Sequence, residues 1–206
     1  MKENDKLIKW AVELQSLAQI GLTYGKDKFD QERYQRIRDI AAEMIAEKSS
    51  LKIEQVKQLF CNEVGYQTPK IATRAAIFTN NKILLVKEND GTWSIPGGWC
   101  EVNLSVAENC IKETKEEAGI DITVENVIAI HDLAKHSTVA YPYGVCEIFF
   151  LCKAIGGHFT KNNETTQSSY FSFDDLPNLS SDKGSEEQVR MCFDAYSSTN
   201  WKTIFE

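Results

Sequence analysis

The stretch that decides the fold runs from Pro96 to Ile120 and reads PGGWCEVNLSVAENCIKETKEEAGI. Two adjacent glycines open it, a run of helix-forming residues follows, and a third glycine ends that run. On a helix over residues 104–118, successive side chains are about 100° apart, so Glu113, Glu116 and Glu117 share one arc of roughly 100°. The stretch therefore predicts a short helix with an acidic face beside an apolar one.

This acidic face predicts a site for a divalent cation. Three like charges within a turn and a half repel one another, and neighbouring lysines offset only part of that repulsion. Oxygen ligands at this density suit Mg²⁺ or Mn²⁺. Gly97 permits a tight backbone approach just before the helix, where its carbonyl could serve as a further ligand. We expect Gly97, Glu113, Glu116 and Glu117 to bind the metal, and a solvated helix face is the alternative.

Length and composition are those of a soluble globular chain. The 206 residues suffice for one ordinary domain and a small one, and the hydrophobic fraction of 42% allows a real core. No apolar run approaches the roughly 20 residues of a membrane helix. The first ten residues, MKENDKLIKW, are charged and lack the apolar centre of a secretory signal. We therefore expect a cytoplasmic protein that does not associate with membranes.

Charge and cysteine usage narrow the function classes further. Residues 1–66 hold 11 basic and 11 acidic side chains, so residues 67–206 carry the whole formal charge of −7. An acidic domain without a basic stripe is a poor general binder of nucleic acid. The six cysteines form no C-x-x-C pair, so we expect reduced thiols, with a regulatory disulfide as the alternative.

Two regions with different patterns divide the chain. Residues 1–66 show helical periodicity, with Leu7, Ala11, Leu14 and Ala18 on one face of a first helix and a cap for a second helix at Asp30. Three short helices without a repeat predict a small helical module or a dimerisation arm.

From residue 67 onward the pattern becomes a mixture of strands and helices. IATRAAIFTNNKILLVKE predicts a hairpin turning at two asparagines, and DITVENVIAIHDL and GVCEIFFLCKAIGG predict further strands. A final helix is predicted from about Ser185 to Ser198. Strands flanked by a few helices predict an α/β or α+β layer architecture for residues 67–206.

The central stretch resembles the signature of the Nudix hydrolases, G-x5-E-x7-R-E-U-x-E-E-x-G-U, where U is a bulky apolar residue. The register is unbroken, and the matching positions are Gly98, Glu113, Glu116, Glu117, Gly119 and Ile120. The preceding KILLVKENDGTWSIPGG also resembles the family's usual lead-in. The resemblance implies an α/β/α sandwich around a mixed sheet, here joined to a small all-α N-terminal domain. It also implies that Glu116 is catalytic.

Two positions depart from that signature. Leu104 stands where the family has glutamate, and Lys112 stands where it has arginine. In the family these two residues form a supporting acid–base pair behind the metal ligands. Because both partners have changed, no buried charge is stranded, and a lysine can extend its ammonium to water. Glu101 is a candidate to replace the missing acid in part.

The resemblance assigns further site residues outside the helix. HFTKNNETTQSSYFSFDDLP resembles a C-terminal stretch of the family, which implies that Glu164 is a metal ligand or the catalytic base, a solvated loop acid being the alternative. Arg74 is expected to bind substrate phosphate, or else to pair with a nearby acid from an edge strand. Lys135 and His136 are expected on a loop that could touch the substrate, or that is merely exposed.

The whole chain is similar to a subgroup of Nudix hydrolases with a helical N-terminal module, which cleave nucleoside diphosphates linked to another moiety. The implied reaction is metal-assisted hydrolysis of a diphosphate bridge, with CDP-choline or ADP-ribose as substrate and a homodimer as the assembly. A Nudix-type ligand sensor is one alternative. A housekeeping hydrolase of oxidised nucleotides or of RNA 5′ ends is another, although such enzymes would leave the helical module unexplained.

Overall fold

The computed structural model describes residues 3–49, 52–137, 141, 143–181 and 183–206. In chain order its elements are α1 Glu3–Tyr24, α2 Lys28–Lys48, α3 Ile53–Phe60, β1 Lys70–Thr79, β2 Lys82–Glu88, β3 Trp93–Ser94, α4 Val106–Ala118, β4 Ile120–Asp132, α5 Leu133–His136, β5 Val145–Gly157, β6 Thr165–Phe171, α6 Glu186–Ser197 and β7 Ile204–Phe205. A 3₁₀ turn, Phe173–Asp175, follows β6.

Contacts within the chain define two compact units. The first comprises Met1–Pro69 and Ala140–Gly144, and the second comprises Lys70–Val139 and Val145–Glu206. The domain boundary that the sequence suggests, between residues 66 and 67, stays a prediction.

The first unit is a small helical domain. Its core is formed by buried side chains of α1, α2 and α3, namely Ala11, Ala41, Ala42, Ile45, Val56 and Phe60. Two amides, Gln15 and Gln19, are buried beside this core on α1. The predicted all-α character of the N-terminal region is therefore confirmed.

The second helix starts earlier than its sequence pattern suggests. The cap is Asp27, whose carboxylate accepts from the backbone N–H groups of Phe29 at 2.9 Å and Asp30 at 3.1 Å. The prediction of Asp30 as the cap was wrong, because that residue lies inside the first turn and pairs with Arg33 at 2.6 Å. An acid within the first turn and an acid at the cap are both favourable, so the sequence pattern fits either register.

A mixed sheet forms the centre of the second unit. The strand order is β3-β2-β1-β5-β4-β7, and β6 pairs with β2. The pairings of β1 with β5 and of β4 with β7 are parallel, and the remaining pairings are antiparallel. At the predicted hairpin turn, Asn80 and Asn81 both have positive φ, of 50° and 61°. Asparagine tolerates this left-handed conformation, which two-residue hairpin turns require.

One helix covers each face of the sheet. Alternate side chains of a strand point to opposite faces, so Ala75 and Ile77 pack with Cys110 and Ala118 of α4. Ala76 packs with Val189 and the rest of the buried face of α6. This arrangement confirms the predicted α/β/α sandwich with a mixed sheet.

Two sequence-based expectations about the whole chain can be compared with the structure. All six cysteines are free thiols, as expected. Within the described ranges, no helix is long and apolar enough to cross a membrane.

Candidate active site

The turn that contains Gly97 and Gly98, called the glycine turn below, is hydrogen-bonded to the first half of β1. The N–H groups of Thr73 and Ala75 donate to the carbonyls of Gly98 at 2.9 Å and Pro96 at 2.8 Å, and the N–H of Cys100 donates to Ile71 at 2.8 Å. The turn therefore occupies a fixed position beside a central strand, directly ahead of the acidic helix.

A side chain at Gly97 would meet backbone, whereas one at Gly98 would meet only the mobile end of the Glu113 side chain. Gly97 has φ of 149°, and a Cβ there would collide with the carbonyl oxygen of Thr73. A Cβ on Gly98 would collide with the carboxylate of Glu113. The missing side chains thus let the turn lie against β1 on one side and admit an acidic side chain on the other.

Local sequence signals set the limits of α4. Ser105 caps its start by accepting from the N–H of Glu108, whose carboxylate accepts in return from the N–H of Ser105 at 2.8 Å. Gly119 ends the helix in the left-handed conformation, with φ of 70°. The first turn of the helix is therefore close to that predicted, and Glu113, Glu116 and Glu117 lie in the last two turns.

Glu117 is the buried member of the acidic face. It is 6% exposed, and its carboxylate accepts from the N–H of Gly97 at 2.8 Å. Burial raises the pKa of Glu117 from 4.5 to about 7, although the Gly97 hydrogen bond and the positive charge of Arg74 act to lower it. Glu117 is therefore a carboxylate whose ionised form would be stabilised by a nearby cation.

Lys112 supplies positive charge to the other two carboxylates. Its ammonium donates to Glu116 at 2.6 Å and to Glu113 at 3.0 Å. These hydrogen bonds hold the pKa of Lys112 above its usual value. Glu113 is largely buried against the glycine turn, whereas Glu116 is more than half exposed.

The chemistry of this donor set fits a hard divalent cation. All three carboxylates lie on one side of α4, two of them directed at the Gly97–Gly98 turn, and a positive group already lies among them. Carboxylate oxygens are the ligands that Mg²⁺ and Mn²⁺ prefer. In the described part of the chain, however, no three acidic, histidine or cysteine side chains converge closely enough to hold an ion. Binding therefore requires side-chain rotations, chiefly away from Lys112.

The turn preceding α4 brings a substitute acid to Lys112. Glu101 and Leu104 lie at the two ends of one turn, closed by a 3.2 Å hydrogen bond from the N–H of Leu104 to the carbonyl of Glu101. The carboxylate of Glu101 lies 3.3 Å from the Lys112 ammonium. Asn109 fixes this turn by accepting from the N–H of Glu101 at 3.2 Å and donating to Thr73 at 3.0 Å. An acid–base pair is thus present, with its acid three residues earlier in the chain.

The loop that carries Glu164 is attached to the end of the acidic helix. The Asn162 amide donates to the carbonyl of Glu116 at 2.7 Å, and the Thr165 hydroxyl donates to the carbonyl of Glu117 at 2.6 Å. The Asn162 side-chain oxygen also accepts from the N–H of Glu164 at 2.8 Å. Glu164 itself is exposed. Its backbone is therefore fixed beside the C-terminal end of α4 while its side chain stays accessible.

Asn162 and Thr165 are site residues that sequence reasoning missed. The available signal was an asparagine two residues before the acid, because asparagine side chains commonly bond to backbone N–H groups two and three positions later. That signal predicts a local turn, but it does not show that the turn contacts a helix more than forty residues earlier in the chain.

Arg74 is bonded both to a buried acid and to the turn before α4. It is 6% exposed and lies on a central strand, and its guanidinium donates to Glu147 at 2.7 Å and to the carbonyl of Gly97 at 2.8 Å. Gln188 of α6 donates to the other oxygen of Glu147 at 3.2 Å. In this arrangement Arg74 holds the glycine turn in place and pairs with a nearby acid, from a central strand and not from the expected edge strand. Its predicted contact with substrate phosphate stays a prediction.

Lys135 and His136 lie on the one-turn helix α5, where the sequence analysis expected a loop. His136 and Lys135 contact the carboxylate of Glu206 at 3.3 Å and 3.7 Å. The His136 ring also stacks on His131, with 3.9 Å between ring centroids. Both residues follow β4, which is separated from β1 by β5. The structure therefore brings them together with the C-terminal residue, and their predicted contact with substrate stays a prediction.

Comparison with known proteins identifies the family. The NUDIX domain model matches residues 68–192, which is more than half of the chain. The protein belongs to the Nudix hydrolase family. A second family model, described as a UDP-X-like N-terminal oligomerisation domain, matches residues 5–60.

Individual Nudix relatives resemble the chain over its whole length or over most of it. YjhB of Bacillus subtilis, a proposed ADP-ribose pyrophosphatase, is 40% identical over 207 residues and covers 100% of both chains. The crystal structure of an ADP-ribose pyrophosphatase from Streptococcus suis is 50% identical, covers 68% of this chain and all of that one, and has a TM-score of 0.64. The crystal structure of a UDP-X diphosphatase is 31% identical, covers 98% of this chain and all of that one, and also has a TM-score of 0.64.

Proposed function

We propose that this Nudix hydrolase is a divalent-metal-dependent pyrophosphohydrolase that cleaves the diphosphate bridge of a nucleoside diphosphate linked to another moiety. The observation that carries the proposal is the acidic face of α4 against the glycine turn, where the buried Glu117 accepts from Gly97 at 2.8 Å and Glu113 lies over Gly98. A buried carboxylate with a pKa near 7 beside two further carboxylates is a strong attractor for a cation.

ADP-ribose is the substrate we propose first. Two of the relatives reported above carry the name ADP-ribose pyrophosphatase, and one of them is 50% identical to this chain. Hydrolysis of ADP-ribose would yield AMP and ribose 5-phosphate. CDP-choline, which would yield CMP and phosphocholine, stays a prediction from sequence resemblance alone.

The residues of α4 would hold Mg²⁺ or Mn²⁺ through the carboxylates of Glu113, Glu116 and Glu117, with the carbonyl of Gly97 as a further ligand. When bound, such an ion neutralises the charge of a diphosphate and lowers the pKa of a coordinated water. Glu117 and Glu113 are positioned for this role by the turn, and Glu116 becomes available once its contact with Lys112 breaks.

Glu164 is the residue we propose as the general base. Its loop is bonded to the backbone carbonyls of Glu116 and Glu117, so its backbone stays beside the C-terminal end of α4 while its side chain reaches solvent. An acid held on a fixed backbone next to a metal-binding helix is suited to accept a proton from an attacking water. Asn162 and Thr165 would act as positioning residues for it.

The Lys112–Glu101 pair is proposed to replace the supporting pair that the family builds from arginine and glutamate. Its 3.3 Å separation supports this proposal, since an acid from position 101 reaches the lysine. Because Lys112 also contacts Glu113 and Glu116, it offsets part of their negative charge in the absence of an ion. This same observation favours the second candidate function, a catalytically weak ligand sensor, since a lysine among the ligands competes with the cation.

The family match of the N-terminal region bears on the assembly of the protein. We propose a homodimer, because residues 5–60 match a domain described as oligomerising. A cytoplasmic location stays a prediction.

A substrate panel tests the proposed function. Phosphate release would be measured with an added phosphatase, which attacks the phosphomonoesters formed when a diphosphate bridge is cut. Because the phosphatase would remove the terminal phosphate of dGTP directly, turnover of dGTP is followed as dGMP formation without phosphatase. The panel holds ADP-ribose, CDP-choline, UDP-sugars, NADH, dinucleoside polyphosphates and dGTP, each with Mg²⁺ and with Mn²⁺. Preferential turnover of a nucleoside diphosphate linked to another moiety supports the proposal. Preferential turnover of dGTP would support the housekeeping alternative, and no turnover would support the sensor.

A further inference from the structure

An exposed apolar stripe runs along α1. It consists of Trp10, Leu17 and Tyr24, which are 48%, 57% and 63% exposed and follow one another at intervals of seven residues. Residues at that interval lie on nearly the same side of a helix, so the three side chains form one line roughly 21 Å long. We call this line the Trp10 stripe.

The opposite side of α1 is buried, and it carries smaller or more polar side chains. Its fully buried residues are Ala11, Gln15, Ala18 and Gln19. The helical unit therefore buries two alanines and two amides while it leaves a tryptophan, a leucine and a tyrosine in water. Large apolar side chains left exposed in one line, and not scattered singly, mark an interaction site.

Specific contacts prevent α1 from rotating to bury the stripe within its own unit. The Gln15 amide donates to the carbonyl of Phe60 at 3.0 Å and to Gln19 at 2.9 Å, and the Gln19 amide donates to the carbonyl of Gly65 at 3.0 Å. Rotation of the helix would leave these buried groups without partners. Gly21 packs closely against the ring of Tyr34 on α2, since a Cβ at this position would lie 2.5 Å from the ring. Rotation of α1 would bring a larger side chain into this place.

We infer that the Trp10 stripe is the surface by which two copies of this chain associate, with the two α1 helices antiparallel and a two-fold axis passing through Leu17. A two-fold contact requires a surface that complements itself. The stripe meets this condition, since Trp10 and Tyr24 lie seven residues on either side of Leu17. Across such an axis, Leu17 contacts its own copy, and Trp10 contacts Tyr24 of the partner subunit.

The family match indicates which occupant covers the stripe. The stripe lies within residues 5–60, the segment described as an N-terminal oligomerisation domain, but that description assigns no face. The exposed charged residues Lys6 and Glu13 lie along one edge of the stripe, and the Lys6 ammonium is 5.3 Å from the centroid of the Trp10 ring. Charged side chains at the edge are expected at the polar rim of an interface with an apolar centre. The inference rests on the homodimer of the proposed function and names the surface that forms it.

The test measures the mass of the full-length chain by sedimentation velocity over a range of concentrations. Leu17→Glu places a charge at the two-fold axis, where two copies of it would face each other. Loss of a central apolar contact weakens association on the order of 30-fold for each copy, so the dimer should dissociate roughly 1000-fold more readily. Phe29→Glu is the matched control, because Phe29 is 55% exposed in the same unit but lies outside the stripe. It should leave the dimer intact.

A second variant keeps the inference testable if the glutamate disturbs folding. Leu17→Cys should form a disulfide between the two copies under mild oxidation, since the two-fold axis places the paired thiols together. The unaltered chain, with its six free cysteines, is oxidised in parallel as the background. Far-UV circular dichroism checks the helix content of each variant.

Several outcomes would overturn the inference. These are a monomeric unaltered chain at all concentrations, a dimer that survives Leu17→Glu, and a dimer that Phe29→Glu disrupts equally. A monomer in which Leu17→Glu changes only the melting temperature would show that the stripe packs within the chain. Turnover of ADP-ribose is measured separately, so an inactive dimer contradicts the pyrophosphatase proposal alone, and an active monomer contradicts only the dimer.

Discussion

Replacing Glu117 with glutamine should change the pH dependence of stability in the metal-free protein. Burial raises the pKa of Glu117 from 4.5 to about 7, so the native state holds this proton more tightly than the unfolded chain does. The stabilisation is therefore complete below a pH of about 4.5, falls as the pH rises, and is lost above a pH of about 7. A shift of this size corresponds to about 3 kcal/mol in the free energy of unfolding.

The assay is thermal unfolding in the presence of a chelator at pH 5 and pH 8. The unaltered chain should lose about 2.5 kcal/mol more stability than Glu117→Gln between these two conditions, because part of the stabilisation is already lost at pH 5. This difference is on the order of 5–10 °C in melting temperature. Burying the glutamine amide changes the free energy of unfolding by the same amount at both pH values. This contribution therefore cancels when each protein is compared with itself at pH 5 and pH 8. Glu116→Gln is the control, since its carboxylate is more than half exposed and should contribute little to this difference.

Added Mg²⁺ or Mn²⁺ then tests the link to ion binding. The unaltered chain should gain stability at pH 8, because an ion that binds only the native state stabilises it, and Glu117→Gln should gain less. An equal loss of stability in both proteins between pH 5 and pH 8 would refute the reasoning, since it would show that Glu117 is not a buried titrating group.

Three further substitutions test separate parts of the account. Lys112→Gln should raise Mn²⁺ affinity several-fold by calorimetry, because it removes the ammonium that competes for the carboxylates; unchanged affinity would contradict this role. Asn162→Ala should lower kcat by roughly 10- to 100-fold with little change in KM, because it releases the backbone of Glu164. The pH profile of kcat should change as well. A change in KM alone would argue against a positioning role for Asn162. Arg74→Met should destabilise the protein by about 3–5 kcal/mol in urea unfolding, because it leaves the Glu147 carboxylate buried without its cationic partner. A loss of substrate affinity at unchanged stability would instead favour the substrate-binding role of Arg74.

The parts of the fold that the sequence predicts well are those set by neighbouring residues. Ser105 with Glu108 marks the start of the acidic helix, and Gly119 marks its end, because caps act within three or four positions. The hairpin turn at Asn80 and Asn81 is local for the same reason. These short-range signals also establish which carboxylates share one side of α4.

The parts that sequence reasoning missed depend on contacts between distant segments. Arg74 and Glu147 are 73 positions apart, and only the parallel pairing of β1 with β5 brings them together. Likewise, a helical wheel places Glu117 beside the apolar face, but the wheel does not show the separate turn whose Gly97 N–H donates to the buried carboxylate.

The most direct test of the central claim is the initial rate of AMP formation from ADP-ribose, measured by chromatography for the unaltered chain, Glu116→Gln and Glu108→Gln. Glu108 lies on the same helix outside the proposed metal site, and glutamine can keep its capping hydrogen bond. We predict AMP release that requires Mg²⁺ or Mn²⁺, stops with a chelator, falls at least 100-fold in Glu116→Gln and persists in Glu108→Gln. Equal rates in Glu116→Gln and the unaltered chain, or AMP release in the presence of chelator, would contradict the claim that the acidic face of α4 is the catalytic site.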